Sequence, residues 1–146
     1  MSKSNTCENA ILKLIFTAVA WENIAENDST SPLTNLYVSL HTADPGEAGN
    51  QPSNETEYTN YARVAVARTN AGWTVTTNPS SVSPAANIDF AECGVTPGAA
   101  ITHFGIGATA IGGASTLYYS GTVTPNITMA AGVIPRLKTT STITED

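Results

Sequence analysis

One stretch, Leu36–Asp44, constrains the fold of this chain more than any other. Apolar and polar side chains alternate along it in the order Leu36, Tyr37, Val38, Ser39, Leu40 and His41. This period of two is typical of a β-strand that buries one of its faces in a core. The stretch runs directly into Asp44-Pro45-Gly46, where Pro presets φ and Gly tolerates the positive φ of a turn. We therefore predict a core strand that ends in a tight turn.

Further short β-prone segments follow this strand at intervals of about ten residues, separated by Gly, Pro and Asn. They cover residues 61–69, 72–76, 82–90, 101–108, 116–123, 125–129, 133–137 and 138–144. Within 101–108, Gly105 and Gly107 predict a strand that another backbone approaches closely. The spacing predicts a mainly β fold, an antiparallel β-sandwich of about eight short strands, of which a jelly roll is one version. The 146 residues are expected to form a single domain, 1–146.

One helix is predicted before the first strand, over about residues 6–20. Its apolar residues recur at helical spacing as Ile11, Leu14, Ile15, Ala18 and Val19. Asn5 and Glu8 have the spacing of a capping box. The broad apolar stripe must lie on the chain's own sheet or on a neighbouring subunit, and packing on the chain's own sheet is the favoured interpretation. A polar linker that contains a Pro is expected at about residues 27–34.

The net charge of the chain argues against nucleic acid as a partner, and its apolar run argues against a membrane span. The net charge is −6 and the six Lys and Arg residues are scattered, so no basic patch for phosphate binding is expected. The apolar run 10–20 is interrupted by Lys13, lacks the basic segment of a signal peptide and is too short to span a bilayer. Charged residues make up only 12% of the chain, against about 25% in typical soluble domains, and such a surface suits a protein within an assembly.

The two cysteines, Cys7 and Cys93, fall in the predicted helix and in a predicted loop. Neither has a His or a second Cys nearby at metal-binding spacing. Two reduced thiols in a protein made in a cytoplasm are the favoured interpretation, and a disulfide between them is the alternative.

The segment 47–60, which follows the first turn, contains almost no apolar residue. We predict an exposed loop that buries nothing of its own, and loops of this length are usually functional or mobile. Together with the apolar stripe of the helix, this loop is the best candidate for contact with a partner. The predicted partner-binding residues are Ile11, Leu14, Ile15, Glu47, Asn50, Asn54 and Glu57.

Catalytic and metal-binding patterns are missing from the sequence. His41 and His103 each fall in a predicted strand. Asp44 and Glu47 follow His41 and could bind a cation with it, but turns carry acidic residues for conformational reasons, so hydrogen-bonded strand histidines are the favoured interpretation. The sequence holds no Gly-x-Ser-x-Gly elbow and no phosphate loop. We therefore expect no catalytic residue, no metal, no cofactor and no enzymatic activity.

Four segments occur in an order that resembles a known protein family. They are residues 36–49 (LYVSLHTADPGEAG), 61–66 (YARVAV), 102–107 (THFGIG) and 117–121 (LYYSG). The helical segment from Ser4 to Leu12 is similar as well, so the resemblance covers nearly the whole chain. The family comprises small proteins of tailed bacteriophages that are commonly labelled phage tail fibre proteins. The resemblance implies a virion structural protein without enzymatic activity.

Three roles in the virion follow as alternatives. The first expectation is a capsid decoration (cement) protein that binds the major capsid protein in many copies and stabilises the particle. The second is a tail, neck or tail-fibre adaptor component, since the chain has no repeat or collagen-like stretch that would build an extended fibre. The third is a carbohydrate-binding receptor module that uses an exposed Trp73 or a Tyr. All three imply a virion protein made in the bacterial cytoplasm, with other virion proteins and further copies of itself as partners.

Overall fold

The computed structural model describes residues 5–21, 33–113 and 115–144, and it shows a mainly β protein with one N-terminal helix. The helix is α1 (Asn5–Thr17). The strands among the described residues are β1 (Asn35–His41), β2 (Val64–Ala67), β3 (Trp73–Thr77), β4 (Ser80–Pro84), β5 (Ile88–Asp89), β6 (Ile101–Gly107), β7 (Leu117–Ile127), β8 (Arg136–Leu137) and β9 (Ile143–Thr144). The predicted mainly β fold with antiparallel sheets is confirmed, and it is consistent with a β-sandwich.

The described strands form three sheets. One sheet has the order β2-β1-β6-β7, the second β3-β4-β9 and the third β5-β8. In the first sheet β1 and β6 are antiparallel, with a register that runs from Tyr37 opposite Gly107 to His41 opposite His103. The strand β7 lies at the edge of this sheet and contains Pro125, which was expected to begin a separate strand. An edge strand tolerates proline because one side of its backbone needs no partner in the sheet.

The chain contains two compact units, each of which is described by itself. The first comprises Met1–Asn35, Val66–Ile88 and Leu137–Asp146, and the second comprises Leu36–Ala65 and Asp89–Arg136. In the first unit α1 packs against the hairpin of β3 and β4. The second unit contains β6, β7 and nearly all of β1. The single domain expected over residues 1–146 stays a prediction.

The helix α1 packs within the first unit, as the favoured interpretation predicted, but the residues that it buries are not those of the predicted stripe. Ile11, Leu14 and Ile15 are only half-buried, and Val19 is exposed. Leu12 and Phe16 are fully buried, and the Phe16 ring meets the indole of Trp73 edge to face at a centroid distance of 4.8 Å. The helix ends earlier than predicted because Ala18 adopts a left-handed φ of 55°. The amide of Val19 then donates back to the carbonyl of Lys13, which satisfies a terminal carbonyl of the helix.

Arg68, in the segment after β2, closes the C-terminal end of α1. Its Nε donates to the carbonyl of Ile15 over 2.6 Å, and its Nη2 donates to the carbonyl of Leu14. The last turn of α1 holds no basic residue of its own. Arg68 therefore supplies the positive charge that the carbonyl end of a helix favours.

The structure also tests the predictions for the strand 82–90 and for the two cysteines. The strand expected over residues 82–90 is two strands, β4 and β5, which separate after Pro84. No disulfide bond joins Cys7 and Cys93, in agreement with the favoured interpretation. Residues 27–32 of the expected linker, and the Asn5 side chain of the expected capping box, lie outside the described residues. Within the part of the chain that the structure describes, no helix has both the length and the apolar character needed to cross a membrane.

Candidate functional site

The polar face of β1 is buried along with its apolar face. Ser39 and His41 are both 0% exposed. The alternation along Leu36–Asp44 predicted that only the apolar face would be buried, and that expectation is wrong. The segment 42–60 folds back over the polar face: Thr56 donates its amide N–H to the carbonyl of Leu40 over 3.0 Å.

The predicted exposed loop 47–60 is therefore largely a cover for the second unit. Gln51, Thr56 and Tyr58 are buried, which contradicts the expectation that this loop buries nothing of its own. The hydroxyl of Tyr58 donates to the carbonyl of Ala91 over 2.9 Å, and burial raises the pKa of Tyr58 to about 12. The loop was expected to be exposed because its residues are mostly polar, but polar residues can be buried when the fold supplies hydrogen-bond partners.

Gln51 lies at the centre of a group of buried polar side chains, the buried polar cluster. Both the nitrogen and the oxygen of its side-chain amide make hydrogen bonds. Its Nε2 donates to the carbonyl of Tyr37 on β1 over 3.1 Å. Its Oε1 accepts from the amide of Thr109 over 3.1 Å and from the hydroxyl of Ser115 over 3.0 Å. The backbone of Gln51 also donates to the carbonyl of Ser115. One side chain therefore ties the loop to β1 and to the connection between β6 and β7.

Arg63 and Glu55 form an ion pair beside Gln51. Arg63 donates from Nε and Nη2 to the two carboxylate oxygens of Glu55, over 2.8 and 2.7 Å, and the two side chains are only 2% and 12% exposed. The Nη1 of Arg63 donates to the carbonyl of Thr109 over 3.0 Å. Hydrogen bonding to Glu55 holds the pKa of Arg63 above its usual value. A bidentate pair with this number of additional hydrogen bonds fixes both groups in one orientation.

Tyr61 extends the cluster to the backbone of β1. Its hydroxyl donates to Oε1 of Glu55 over 2.7 Å and accepts from the amide of Leu40 over 3.1 Å. Burial raises the pKa of Tyr61 above its ordinary value. The hydroxyl is therefore held in its neutral form, in which it can donate to the carboxylate.

Ser39 and His41 make a hydrogen-bonded pair with the connectivity of a nucleophile and a base. The Ser39 Oγ lies 2.9 Å from His41 Nε2, and His41 Nδ1 lies 2.8 Å from the carbonyl of Ser53. Because a carbonyl only accepts, Nδ1 carries the proton, and neutral His41 accepts at Nε2 from the Ser39 hydroxyl. Burial lowers the pKa of His41, which favours this neutral form. Both residues are closed off from solvent, so the pair as it stands has no access to a substrate.

Two glycines of β6 make room for the cluster. A Cβ atom on Gly105 would lie 2.6 Å from His41 Nε2, and one on Gly107 would lie 2.1 Å from Gln51 Cδ. The close approach predicted at these glycines exists, but the atoms nearest to a Cβ belong to side chains and not to another backbone: those of His41, Ser39 and Leu117 at Gly105, and that of Gln51 at Gly107. Such distances are far below normal contact, so any side chain at Gly107 would displace Gln51.

The predicted partner-binding residues belong to both units, those of α1 to the first and those of the loop to the second. Glu47, Asn54 and Glu57 are exposed, whereas Asn50 is half-buried. The Asn54 amide donates to the carbonyl of Asp44 over 2.8 Å and Asn50 Oδ1 accepts from Ser53, so both stabilise the loop that holds them. On α1 the residues Ile11, Leu14 and Ile15 are all half-buried. The role of these residues in partner binding stays a prediction.

Sequence reasoning missed Gln51 and Arg63, the two residues that hold the buried cluster together. Gln51 occurs in a run of polar residues and carries no local sign of burial. The alternating glycines of β6 were the available signal, because they indicate that something large occupies that face. Trp73, proposed as an exposed sugar-binding residue, is 1% exposed, so that expectation is wrong.

The acidic residues, cysteines and histidines are the side chains that could bind a metal ion. Nowhere in ranges 5–21, 33–113 and 115–144 do three His, Cys, Asp or Glu residues lie close enough to hold a metal ion. His41 is hydrogen-bonded to Ser39 within β1, and within β6 the Nδ1 of His103 lies 2.8 Å from the Thr102 hydroxyl. Both histidines fit the favoured interpretation of hydrogen-bonded strand residues.

Comparison with known proteins agrees with the resemblance in the sequence. No curated protein sequence matches the chain significantly. A family model described as Podophage GP4 fiber I protein gp80 matches residues 2–144. The similarity to phage tail fibre proteins is thereby confirmed, and it makes this chain a bacteriophage virion structural protein. The chain belongs to the family of Podophage GP4 fiber I protein gp80.

Proposed function

We propose that this chain is a non-enzymatic component of the phage tail-fibre apparatus and that it attaches to other tail proteins of the virion. The match of residues 2–144 to a fibre protein family carries this proposal. A fibre component needs a stable structure and a contact surface, and it needs no catalytic site.

The buried polar cluster supports the non-enzymatic part of the proposal. The residues best suited to acid–base chemistry are His41, Glu55 and Arg63. Each of them makes hydrogen bonds to other residues of the second unit. Their hydrogen bonds attach the segment 42–60 to the sheet. A structural role, in which these hydrogen bonds keep the segment 42–60 in place over the sheet, explains all of the contacts. None of them requires a substrate.

The number of copies per virion tests the location. Quantitative mass spectrometry of purified particles, scaled to the major capsid protein, should give a small number that matches the symmetry of a tail, such as six or twelve. Antibody labelling in electron micrographs should mark the tail and leave the capsid unlabelled. Hundreds of copies with capsid labelling would overturn the tail-fibre proposal and support the capsid decoration alternative, in which the chain binds the major capsid protein.

A second candidate function is carbohydrate binding, for which an exposed tyrosine could supply the contact with the sugar. With Trp73 buried, an exposed Tyr such as Tyr118 on β7 would have to stack against a sugar. Saturable binding of host-surface glycan that is lost in Tyr118→Ala would support this alternative. Retained glycan binding in that variant, or absence of binding by the wild-type chain, would count against it.

A further inference from the structure

Three loop segments of the second unit lie side by side and form one surface. Residues 57–60, 92–98 and 130–135 make up this three-loop surface. The amide of Gly94 donates to the carbonyl of Thr59 over 3.0 Å, which joins the first two segments. The amide of Cys93 donates to the carbonyl of Val133, and the amide of Gly132 donates to the carbonyl of Cys93, each over 2.8 Å, which joins the second and third.

Apolar side chains stand in solvent on this surface. Val95 is 88% exposed and Ile134 is 52% exposed. They lie on adjacent, hydrogen-bonded segments, two residues after Cys93 and one residue after Val133. Backbone hydrogen bonds and left-handed residues at Asn60, Gly98 and Gly132 fix the shape of the segments that carry Val95 and Ile134. Exposed apolar groups held on a fixed backbone are a common feature of protein interaction sites.

The charged residues on this surface are acidic. Glu57 and Glu92 are exposed on it, and the three segments contain no Lys or Arg. The second unit has six carboxylate residues and two arginines, a formal charge of −4. Arg63 is paired with Glu55 and Arg136 with Asp89, so no arginine of this unit balances Glu57 or Glu92.

We propose that the three-loop surface is the docking face for another virion protein, one that presents lysine or arginine side chains around an apolar centre. The inference rests on the proposed function as a virion component. Charge complementarity selects the occupant: a second copy would bring the same acidic residues, and phosphate-bearing glycans would bring further negative charge. Apolar contact at Val95 and Ile134 supplies binding energy, while Glu57 and Glu92 orient the basic partner.

The experiment uses virions in which the full-length chain carries a photo-crosslinking residue at position 95. After irradiation, mass spectrometry should find peptides of a different virion protein, with Lys or Arg near the cross-linked site. The same crosslinker at exposed Ile111, outside the surface, is the control and should give little of that product. Cross-links from position 95 to another copy of this chain, or equal products from both positions, would overturn the proposal.

Incorporation of variants into virions provides a second, independent measurement. Glu57→Lys and Glu92→Lys should each reduce the copies per particle about tenfold, whereas Ile111→Lys, which adds a positive charge at an exposed position outside the surface, should stay near wild type. Val95→Ser should reduce the copies as well, with Ile111→Ser as its matched control. These residues are exposed, so the thermal unfolding midpoint should not change. Normal incorporation of the three surface variants would overturn the docking face and leave the proposed function intact.

Discussion

Gln51 occupies the space that Gly107 leaves open on β6, and a Cβ atom at Gly107 would lie 2.1 Å from the Gln51 Cδ. The contact joins a residue of a polar loop to a residue of a central strand. It explains how the amide of Gln51 reaches both Tyr37 and Thr109. The segment 42–60 can cover the polar face of β1 only because this position carries no side chain.

Gly107→Ala should therefore destabilise the protein by about 3 kcal/mol, since the added methyl group displaces Gln51 and leaves its buried partners unsatisfied. Urea unfolding followed by circular dichroism measures the loss. Gly112→Ala is the matched control, because a Cβ there meets no atom within 4 Å. Equal stability of the two variants would contradict the role given to Gln51.

Arg63→Met should destabilise the protein by about 3–5 kcal/mol, because it leaves the Glu55 carboxylate buried without its partner. Arg136→Met is the control: it removes the same charge from a pair with Asp89 whose side chains are about half exposed, and the unfolding midpoint should not move. If the double variant Arg63→Met/Glu55→Gln is no more stable than Arg63→Met alone, the unpaired carboxylate is not the cause of the loss.

The stability of the protein should decrease as the pH falls from 7.5 to 5.5. Burial lowers the pKa of His41 in the folded state, so below the ordinary value near 6.5 the unfolded chain binds a proton that the folded chain resists. This stabilising contribution is complete above pH of about 6.5 and is lost towards the lower folded-state pKa. The loss can reach at most about 1.4 kcal/mol for each pH unit below 6.5.

His41→Gln should remove most of that pH dependence, because the amide does not titrate. Chemical unfolding at both pH values, for wild type and variant, measures the difference. An unchanged pH dependence in His41→Gln would assign the effect to another group.

Phe16→Ala should cost about 3–5 kcal/mol of unfolding free energy, since it empties the space beside Trp73 that a fully buried ring fills. Val19→Ala, at an exposed position just beyond α1, should change stability by less than about 0.5 kcal/mol. Thermal and urea unfolding of both variants provide the measurement. A small effect of Phe16→Ala would contradict the packing of α1 on the hairpin of β3 and β4.

Local pattern in the sequence was enough to predict several elements. The alternation along residues 36–41 predicted β1, and the helical spacing of Ile11, Leu14 and Ile15 predicted α1, because side-chain direction repeats with a fixed period in each element. The order of the four quoted segments indicated the phage fibre family, which the match over residues 2–144 confirmed.

Only the tertiary structure decided what covers the polar face of β1. Gln51, Thr109 and Ser115 are far apart in the sequence and become hydrogen-bond partners when the chain folds. A polar loop residue has the same local signature whether it faces water or a buried carbonyl, because burial depends on long-range partners and not on neighbouring residues. The sequence by itself determined the strands, the helix and the family, and the long-range contacts determined that the loop after β1 is a buried cover.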